Sequence, residues 1–281
     1  MTRALVLGGG GIAGIAWEAG IVAGLREAGL DLGEAGLVVG TSAGSVVGAL
    51  VATGADLESA VAAEADGTTG AGGTGAGTAA RPAVDMEPVM AAFGLLYDPS
   101  LEPREARRRI GELALAAEGA ARIESVGERL PVQEWPDRRL LITAVDAGTG
   151  EFTVWDRGSG APLAAAVASS CAVPCVFAPV EIGGRRYMDG GVRSATNADL
   201  AAGSSAVVVL EPLAHFTPRT RYRDEVAELG GVPVAHVAPD EAAVAVFGAD
   251  VLDPGLWKPA FEAGLAQAAA VAGEVARVWR A

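Results

Sequence analysis

Short apolar runs alternate with longer segments of helical periodicity through the first part of the chain. The run 4–7 precedes a glycine-rich turn and a helical pattern at 15–28, and the run 37–39 precedes a second helical pattern at 43–53. Short apolar runs between turn signals are typical of strands buried on both faces. Strand and helix alternating at this spacing predict βαβ units, and therefore a mainly parallel sheet with helices on both faces.

The rest of the chain follows a less regular order, which completes a predicted three-layer α/β/α fold. Helical patterns at 85–96, 102–117 and 121–129 predict an excursion over the sheet, where a lid or an acyl-binding wall would lie. The glycine-rich segment at about 66–80 predicts a flexible surface loop. Further strands are predicted at 140–146, 151–155, 180–182, 186–188, 206–210 and 232–237, and further helices at 162–168 and 256–280.

No internal repeat and no clear linker interrupts this order. We therefore expect one domain over residues 1–281, with a motif-bearing core at about 1–211 and a C-terminal extension at about 212–281.

The candidate nucleophile is Ser42, in the segment Gly40-Thr41-Ser42-Ala43-Gly44. This G-x-S-x-G pattern lies between a predicted strand and a predicted helix, the context in which a sharp turn exposes a serine hydroxyl. The helix N-terminus that follows favours negative charge near that hydroxyl. Because glycine makes up 39 of 281 residues, the pattern alone also fits a glycine-rich turn whose serine caps a helix.

Candidate oxyanion donors lie in the glycine run after the first strand. The backbone amides of Gly9, Gly10 and Gly11 precede a helix N-terminus and carry no side chains that would cover them. The same run fits G-x-G-x-x-G through Gly14, which keeps a dinucleotide-binding site as an alternative. Such a site needs an acidic residue at the end of the second strand, and that strand ends in Gly40.

The base that would activate the serine has three candidates. Asp189 lies where a predicted strand meets Gly190-Gly191, and a buried carboxylate there could accept the serine proton. Alternatively, Asp189 with His215 or His236 would complete a triad in the chain order of an α/β-hydrolase. Either arrangement predicts serine hydrolysis of an ester.

The composition limits the classes of molecule that the chain is expected to bind and the compartment in which it is expected. The net charge of −14 argues against nucleic acid and against electrostatic docking on anionic membranes, but it leaves open a lipid reached through apolar surface. No apolar stretch is long enough to span a bilayer, and no signal peptide is recognisable, so we expect a cytoplasmic protein. Cys171 and Cys175 predict no disulfide, and no metal site is expected beside them.

Four segments, in this order along the chain, resemble motifs of the patatin-like phospholipase family. The resemblance covers about the first 200 residues and fades beyond about residue 211. The segments are Gly9-Gly10-Gly11-Ile12-Ala13-Gly14 (the oxyanion motif), Gly40-Thr41-Ser42-Ala43-Gly44 (the nucleophile elbow), Ala168-Ser169-Ser170-Cys171-Ala172-Val173-Pro174 with Phe177 and Pro179, and Tyr187-Met188-Asp189-Gly190-Gly191 (the D-G-G/A motif).

The resemblance implies a lipid acyl hydrolase with a Ser-Asp dyad and no catalytic histidine, metal or cofactor. Ser42 would be the nucleophile, Asp189 the base, and the amides of Gly9, Gly10 and Gly11 the oxyanion hole. The implied partners are a lipid or acyl-ester substrate and a transient contact with a membrane surface. Ala13 stands where the family usually has Arg or Lys, which puts a preference for phosphorylated head groups in doubt. A catalytically silent binding protein on the same scaffold is the remaining alternative.

Overall fold

A computed structural model describes residues 2–67, 86–117 and 120–281. Within them, eight strands form one sheet. They are β1 (Arg3–Leu7), β2 (Leu37–Gly40), β3 (Arg139–Asp146), β4 (Phe152–Trp155), β5 (Val180–Ile182), β6 (Arg185–Asp189), β7 (Ala206–Leu210) and β8 (Val234–Val237). The strand order is β5-β6-β3-β2-β1-β7-β8, and β4 pairs with β3.

Helices cover both faces of this sheet. They are α1 (Gly11–Glu27), α2 (Ala43–Thr53), α3 (Leu57–Ala65), α4 (Met86–Gly94), α5 (Pro103–Ala116), α6 (Glu124–Glu128), α7 (Leu163–Ser170), α8 (Arg219–Glu228), α9 (Glu241–Phe247) and α10 (Trp257–Trp279). The predicted three-layer α/β/α fold with a mainly parallel sheet is confirmed.

The core of the sheet consists of β3, β2, β1, β7 and β8, which run parallel to one another. In β1, Leu5 and Leu7 join the core cluster under α1, α2, α7 and α10, whereas Ala4 and Val6 join the cluster on the opposite face. Successive side chains of a strand point to opposite faces, so a central strand between two helical layers must be apolar at every position. That requirement explains the uninterrupted apolar runs.

The other half of the sheet is antiparallel. β3 pairs with both β4 and β6, and β5 pairs with β6. The predicted hairpin of β3 and β4 is confirmed, with Ile142 opposite Trp155. This half matters for function because antiparallel pairing places Asp189, the last residue of β6, opposite Ala144 of β3.

Helix α10 packs along α1 over much of its length. A methyl group built on Gly20 of α1 would lie 2.2 Å from the carbonyl oxygen of Phe261, so the two helices approach at backbone distance. The buried Trp17 indole donates a hydrogen bond to the Gln267 side chain at 2.9 Å. The C-terminal extension therefore forms part of the layer that covers α1.

The predicted elements differ from the structure in a few places. α1 begins at Gly11 instead of residue 15, because the glycine run itself enters the helix. α3, α8 and α9 were not predicted: α3 and α9 have nine and seven residues, and α8 buries only Glu225. The predicted loop at 66–80 lies outside the described residues from residue 68 onward.

Candidate active site

The carboxyl ends of β1 and β2 bring two predicted motifs side by side. Leu7 and Gly40, the last residues of the two strands, are paired in the parallel ladder. Ser42 follows two residues later in a strained backbone conformation, with φ 51° and ψ −117°. A residue with a side chain rarely adopts this conformation, which is characteristic of functional turns. A methyl group on Gly44 would lie 2.1 Å from the Leu7 carbonyl oxygen, so glycine is required where the elbow crosses β1.

Hydrogen bonds hold the Ser42 backbone on both sides. Its N–H donates to Ser170 Oγ at 2.9 Å, and its carbonyl oxygen accepts from Ser45 Oγ at 2.6 Å and from Cys171 Sγ at 3.3 Å. The backbone is thus fixed from α2 and from the end of α7. The side-chain hydroxyl takes no part in these three bonds.

Asp189 is the carboxyl group that the structure places beside Ser42. It is 3% exposed, and its Oδ1 accepts from the Gly191 N–H at 2.7 Å. Burial raises the pKa of Asp189 to about 7, while hydrogen bonding from the Ser42 side chain and the Gly191 amide opposes that rise. In the described part of the chain, no Lys, Arg or His forms an ion pair with Asp189. A carboxylate of this kind is a competent general base near neutral pH.

The glycine run passes directly along the elbow. A methyl group built on Gly9 would lie 3.6 Å from Ser42 Cβ, and one on Gly10 would collide with Pro212 at 2.6 Å. The Gly9 N–H already donates to the Ala195 carbonyl oxygen at 2.8 Å. The expectation for Gly9 as an oxyanion donor is therefore revised, because its amide is engaged.

Other amides near the elbow have no hydrogen-bond acceptor among the described residues. The N–H groups of Gly10 and Gly11 have no acceptor among the described residues, and neither has that of Ala43, one residue past Ser42. Gly11 and Ala43 are the first residues of α1 and α2, where a helix leaves its amides unpaired. Unpaired amides thus occur at the N-termini of α1, which follows Gly9, and of α2, which follows Ser42.

A buried polar network underlies the elbow. The Asn197 amide nitrogen donates to Thr41 Oγ1 at 3.0 Å and to the Ser194 carbonyl oxygen at 2.8 Å. The Thr41 and Thr143 hydroxyls are hydrogen-bonded to each other at 2.9 Å. Because Asn197, Thr41 and Thr143 are fully buried, these contacts are shielded from water and bind the elbow to the segment after Asp189.

Sequence comparison identifies the class of protein that carries this arrangement. A model of the patatin-like phospholipase family matches residues 5–202. The chain belongs to the patatin-like phospholipase family. It is accordingly a serine hydrolase of the lipid acyl hydrolase type. No curated protein matches its sequence.

Two solved structures are similar to this patatin-like phospholipase at low sequence identity. VipD from Legionella pneumophila is 15% identical, with a TM-score of 0.49, over 97% of this chain and 67% of that one. The type III effector protein ExoU is 14% identical, with a TM-score of 0.37, over 97% of this chain and 53% of that one. The chain thus spans about half the length of the ExoU chain.

The two histidines of this patatin-like phospholipase have other surroundings. His236 Nε2 is hydrogen-bonded to Glu211 at 2.7 Å, and its ring lies 4.6 Å from that of Tyr222. The His215 ring lies 4.1 Å from the Phe216 ring. Among the described residues, neither histidine is hydrogen-bonded to the serine or to the aspartate of the site, so the geometry does not support a triad.

Three groups at the site were not predicted from the sequence. The fully buried Glu18 accepts from the Gly8 N–H at 2.8 Å, and burial raises its pKa well above the usual value. Ser170 fixes the elbow amide, and Asn197 anchors the network beneath it. The acidic residue within an otherwise apolar helical stretch was a visible signal for Glu18, whereas the other two contacts join distant parts of the chain.

Cys171 and Cys175 are free thiols, as predicted. Burial raises the pKa of Cys171 to about 12, and the nearby Asp189 carboxylate adds to that rise. A thiol with such a pKa stays protonated at neutral pH and is a poor nucleophile.

Within residues 2–67, 86–117 and 120–281, no helix is long and apolar enough to cross a membrane.

Proposed function

We propose that this patatin-like phospholipase cleaves fatty-acyl ester bonds through a Ser42-Asp189 dyad and a covalent acyl-enzyme. The observation that carries the proposal is the juxtaposition of a serine in a strained elbow with a buried carboxyl group that has no cationic partner among the described residues. A carboxylate that had a cationic partner would hold its proton too weakly to act as a base near neutral pH.

In the first step, ionised Asp189 accepts the Ser42 hydroxyl proton while Oγ attacks the ester carbonyl carbon. The carbonyl π electrons move to oxygen and form an oxyanion. When the tetrahedral intermediate collapses, the bond to the leaving alkoxide breaks and Asp189 returns its proton to that oxygen. The alcohol product departs and the acyl group remains on Ser42.

Water completes the cycle in the second half of the reaction. Asp189, again ionised, takes a proton from water as its oxygen attacks the acyl carbonyl. Collapse of the second intermediate breaks the bond to Ser42 Oγ, which regains the proton from Asp189. The fatty acid leaves, and both groups return to their starting protonation states.

The proposed oxyanion donors are the N–H groups of Gly10 and Gly11, with that of Ala43 as a third candidate. The assignment is supported by two observations. These N–H groups are close in sequence to Gly9 and Ser42, and they have no acceptor among the described residues. Each such donor typically contributes roughly 3–4 kcal/mol of transition-state stabilisation. Because backbone amides supply this function, Ala13 in place of a basic residue does not remove it.

The proposed substrates are phospholipids or related acyl lipids, because the family acts on lipids. A chain with a net charge of −14 is repelled by anionic membranes. We therefore expect faster hydrolysis of zwitterionic or neutral lipids than of anionic ones, with transient contact at the lipid surface.

The test combines hydrolysis of a p-nitrophenyl acyl ester with labelling by a fluorophosphonate. The wild-type enzyme should hydrolyse the ester and carry the label on the peptide that contains Ser42, as mass spectrometry would show. Ser42→Ala should lose the label and reduce kcat at least about 10³-fold, and Asp189→Asn should reduce kcat similarly. His215→Ala and His236→Gln serve as matched controls that keep most activity. Inactivity of either histidine variant, with an unchanged circular dichroism spectrum, would exclude the dyad.

A further inference from the structure

Asn197 occupies an unusual place beneath the nucleophile elbow. It is the only asparagine in the chain, it is fully buried, and its backbone is left-handed, with φ 51° and ψ 40°. Among residues other than glycine, asparagine tolerates this conformation best, but it still costs free energy. A strained, buried polar residue persists where its contacts over-determine it, so those contacts are informative.

The side chain of Asn197 reaches both halves of the proposed dyad. Its Nδ2 donates to the hydroxyl of Thr41, the residue before Ser42, and lies 3.4 Å from the carbonyl oxygen of Gly190, the residue after Asp189. Its Oδ1 accepts from the Arg193 guanidinium at 2.7 Å. One planar amide group therefore bridges the two segments that follow β2 and β6.

Close packing makes this bridge stiff. A methyl group on Gly190 would lie 2.1 Å from Thr143 Oγ1, so the segment after Asp189 is pressed against β3 at backbone distance. Thr143 in turn is hydrogen-bonded to Thr41. A displacement of Asn197 would therefore shift the elbow relative to the aspartate, since each is fixed against the same group of side chains.

We propose that Asn197 is a positioning residue that sets the position of Ser42 relative to Asp189 through its bond to Thr41. The inference rests on the proposed function, because it assigns a role in the geometry of that dyad. Asn197 touches neither reacting atom. Its contribution is to hold the hydroxyl and the carboxylate in the alignment from which proton transfer starts, where a shift of about 1 Å can cost about 10²-fold in rate.

Four variants separate the effect of the Asn197 side-chain bonds from the effect of its strained backbone. Asn197→Gly accepts the left-handed backbone without strain but removes the amide. Asn197→Asp keeps the shape but replaces the donor with an oxygen, which faces the Ser194 and Gly190 carbonyl oxygens. Thr41→Val removes the acceptor and keeps the volume. Thr196→Val is the matched control, because the buried Thr196 hydroxyl donates to Glu225 at 2.7 Å and serves no bond to the elbow.

We expect Asn197→Gly, Asn197→Asp and Thr41→Val each to lower kcat about 10- to 100-fold on the p-nitrophenyl ester, with KM unchanged within about threefold. The acid limb of the kcat/KM profile should also move to higher pH, because a misaligned Ser42 no longer lowers the pKa of Asp189 by hydrogen bonding. Thr196→Val should lower the melting temperature while keeping kcat and the position of the limb. Because both substitutions remove the bond between Asn197 Nδ2 and Thr41 Oγ1, the losses of the two single variants should combine in the double variant Thr41→Val/Asn197→Gly to less than their product.

Several outcomes would overturn the inference. One is a folded Asn197→Gly enzyme with wild-type kcat and an unmoved acid limb. Another is a double variant whose losses multiply. A third is a loss of kcat in Thr196→Val as large as that in Asn197→Gly at an equal drop in melting temperature, since the loss would then reflect stability alone. Failure of the dyad itself is recognised separately, because Ser42→Ala would then keep activity in the otherwise wild-type enzyme.

Discussion

Two buried carboxyl groups at the carboxyl edge of the sheet have opposite surroundings. Asp189, which ends β6, is 3% exposed and accepts hydrogen bonds from neutral donors, so that burial raises its pKa to about 7. Glu211, which follows β7, is 2% exposed and contacts Arg219 at 2.6 Å and His236 at 2.7 Å. Despite its burial, the pKa of Glu211 is lowered, by its bonds to those two side chains.

The difference shows that burial alone does not set the pKa of a carboxyl group. Both groups are withdrawn from water, which favours the neutral acid. At Glu211, the Arg219 guanidinium reverses that preference, so the carboxylate is ionised and forms a structural ion pair. At Asp189 only a hydroxyl and an amide compensate, and the carboxylate keeps an affinity for protons near neutral pH. In the proposed function, Asp189 is therefore the reactive acid and Glu211 a structural one.

The largest contrast is expected in activity. Asp189→Asn should reduce kcat/KM at least about 10³-fold, whereas Glu211→Gln should stay within about threefold of the wild type. Both substitutions preserve shape and remove one negative charge, so each controls for the other. The measurement is ester hydrolysis at pH 8 with the folded fraction checked by circular dichroism. Equal losses in the two variants would contradict the division of roles.

The pH dependence should report the reactive acid. Asp189 must be ionised to accept a proton, so kcat/KM should fall about tenfold per pH unit below pH 7 and level off above it. Glu211, with its lowered pKa, is ionised throughout this range and adds no limb. A pH–rate profile from pH 5 to 9 checks this. A midpoint near 4 would mean that the base is not a desolvated carboxylate.

Stability should respond in opposite directions. Glu211→Gln leaves the Arg219 guanidinium without its counter-ion and should lower the free energy of unfolding by about 3 kcal/mol at pH 7. This deficit should shrink as pH falls through the lowered pKa of Glu211, where the wild type loses the same stabilisation. Chemical denaturation at several pH values measures it. An unaltered unfolding midpoint at pH 7 would contradict the structural role.

Asp189→Asn should instead stabilise the protein by about 1–3 kcal/mol at pH 8. The raised pKa means that the folded state binds the proton more tightly than the unfolded state. Wild-type stability is therefore greatest below the unfolded pKa and falls as pH rises towards 7. The advantage of the amide should vanish near pH 4. A destabilised variant at pH 8 would show that the ionised carboxylate contributes to the fold.

The smallest effect is expected at His215, which is exposed and lies against Phe216. His215→Ala should change kcat/KM less than about twofold and stability by less than about 1 kcal/mol. The same hydrolysis and denaturation assays apply. A tenfold loss of kcat/KM would place this histidine in the reaction and bring the triad back into consideration.

The sequence predicts the parts of the site that depend on local patterns. Ser42 could be found because strand, glycine and helix signals meet at one turn, and Asp189 because its motif follows in the right order. The engagement of the Gly9 amide could not be found, since its acceptor belongs to the segment after Asp189. The pairing of His236 with Glu211 depends likewise on the register of β7 and β8. Helix α8 escaped prediction because its sequence, RTRYRDEVAE, has no apolar stripe.

The position of β7 has a consequence for shortened forms of the enzyme. The region matched by the family ends at residue 202, yet β7 begins at Ala206 and pairs with β1 along its whole length. A chain ending at residue 202 would expose the backbone of β1, whose apolar side chains make it a ready template for another strand. Such a chain should aggregate instead of yielding a smaller enzyme. If limited proteolysis cuts the full chain between residue 202 and β7, the two fragments should stay associated through the pairing of β1 with β7.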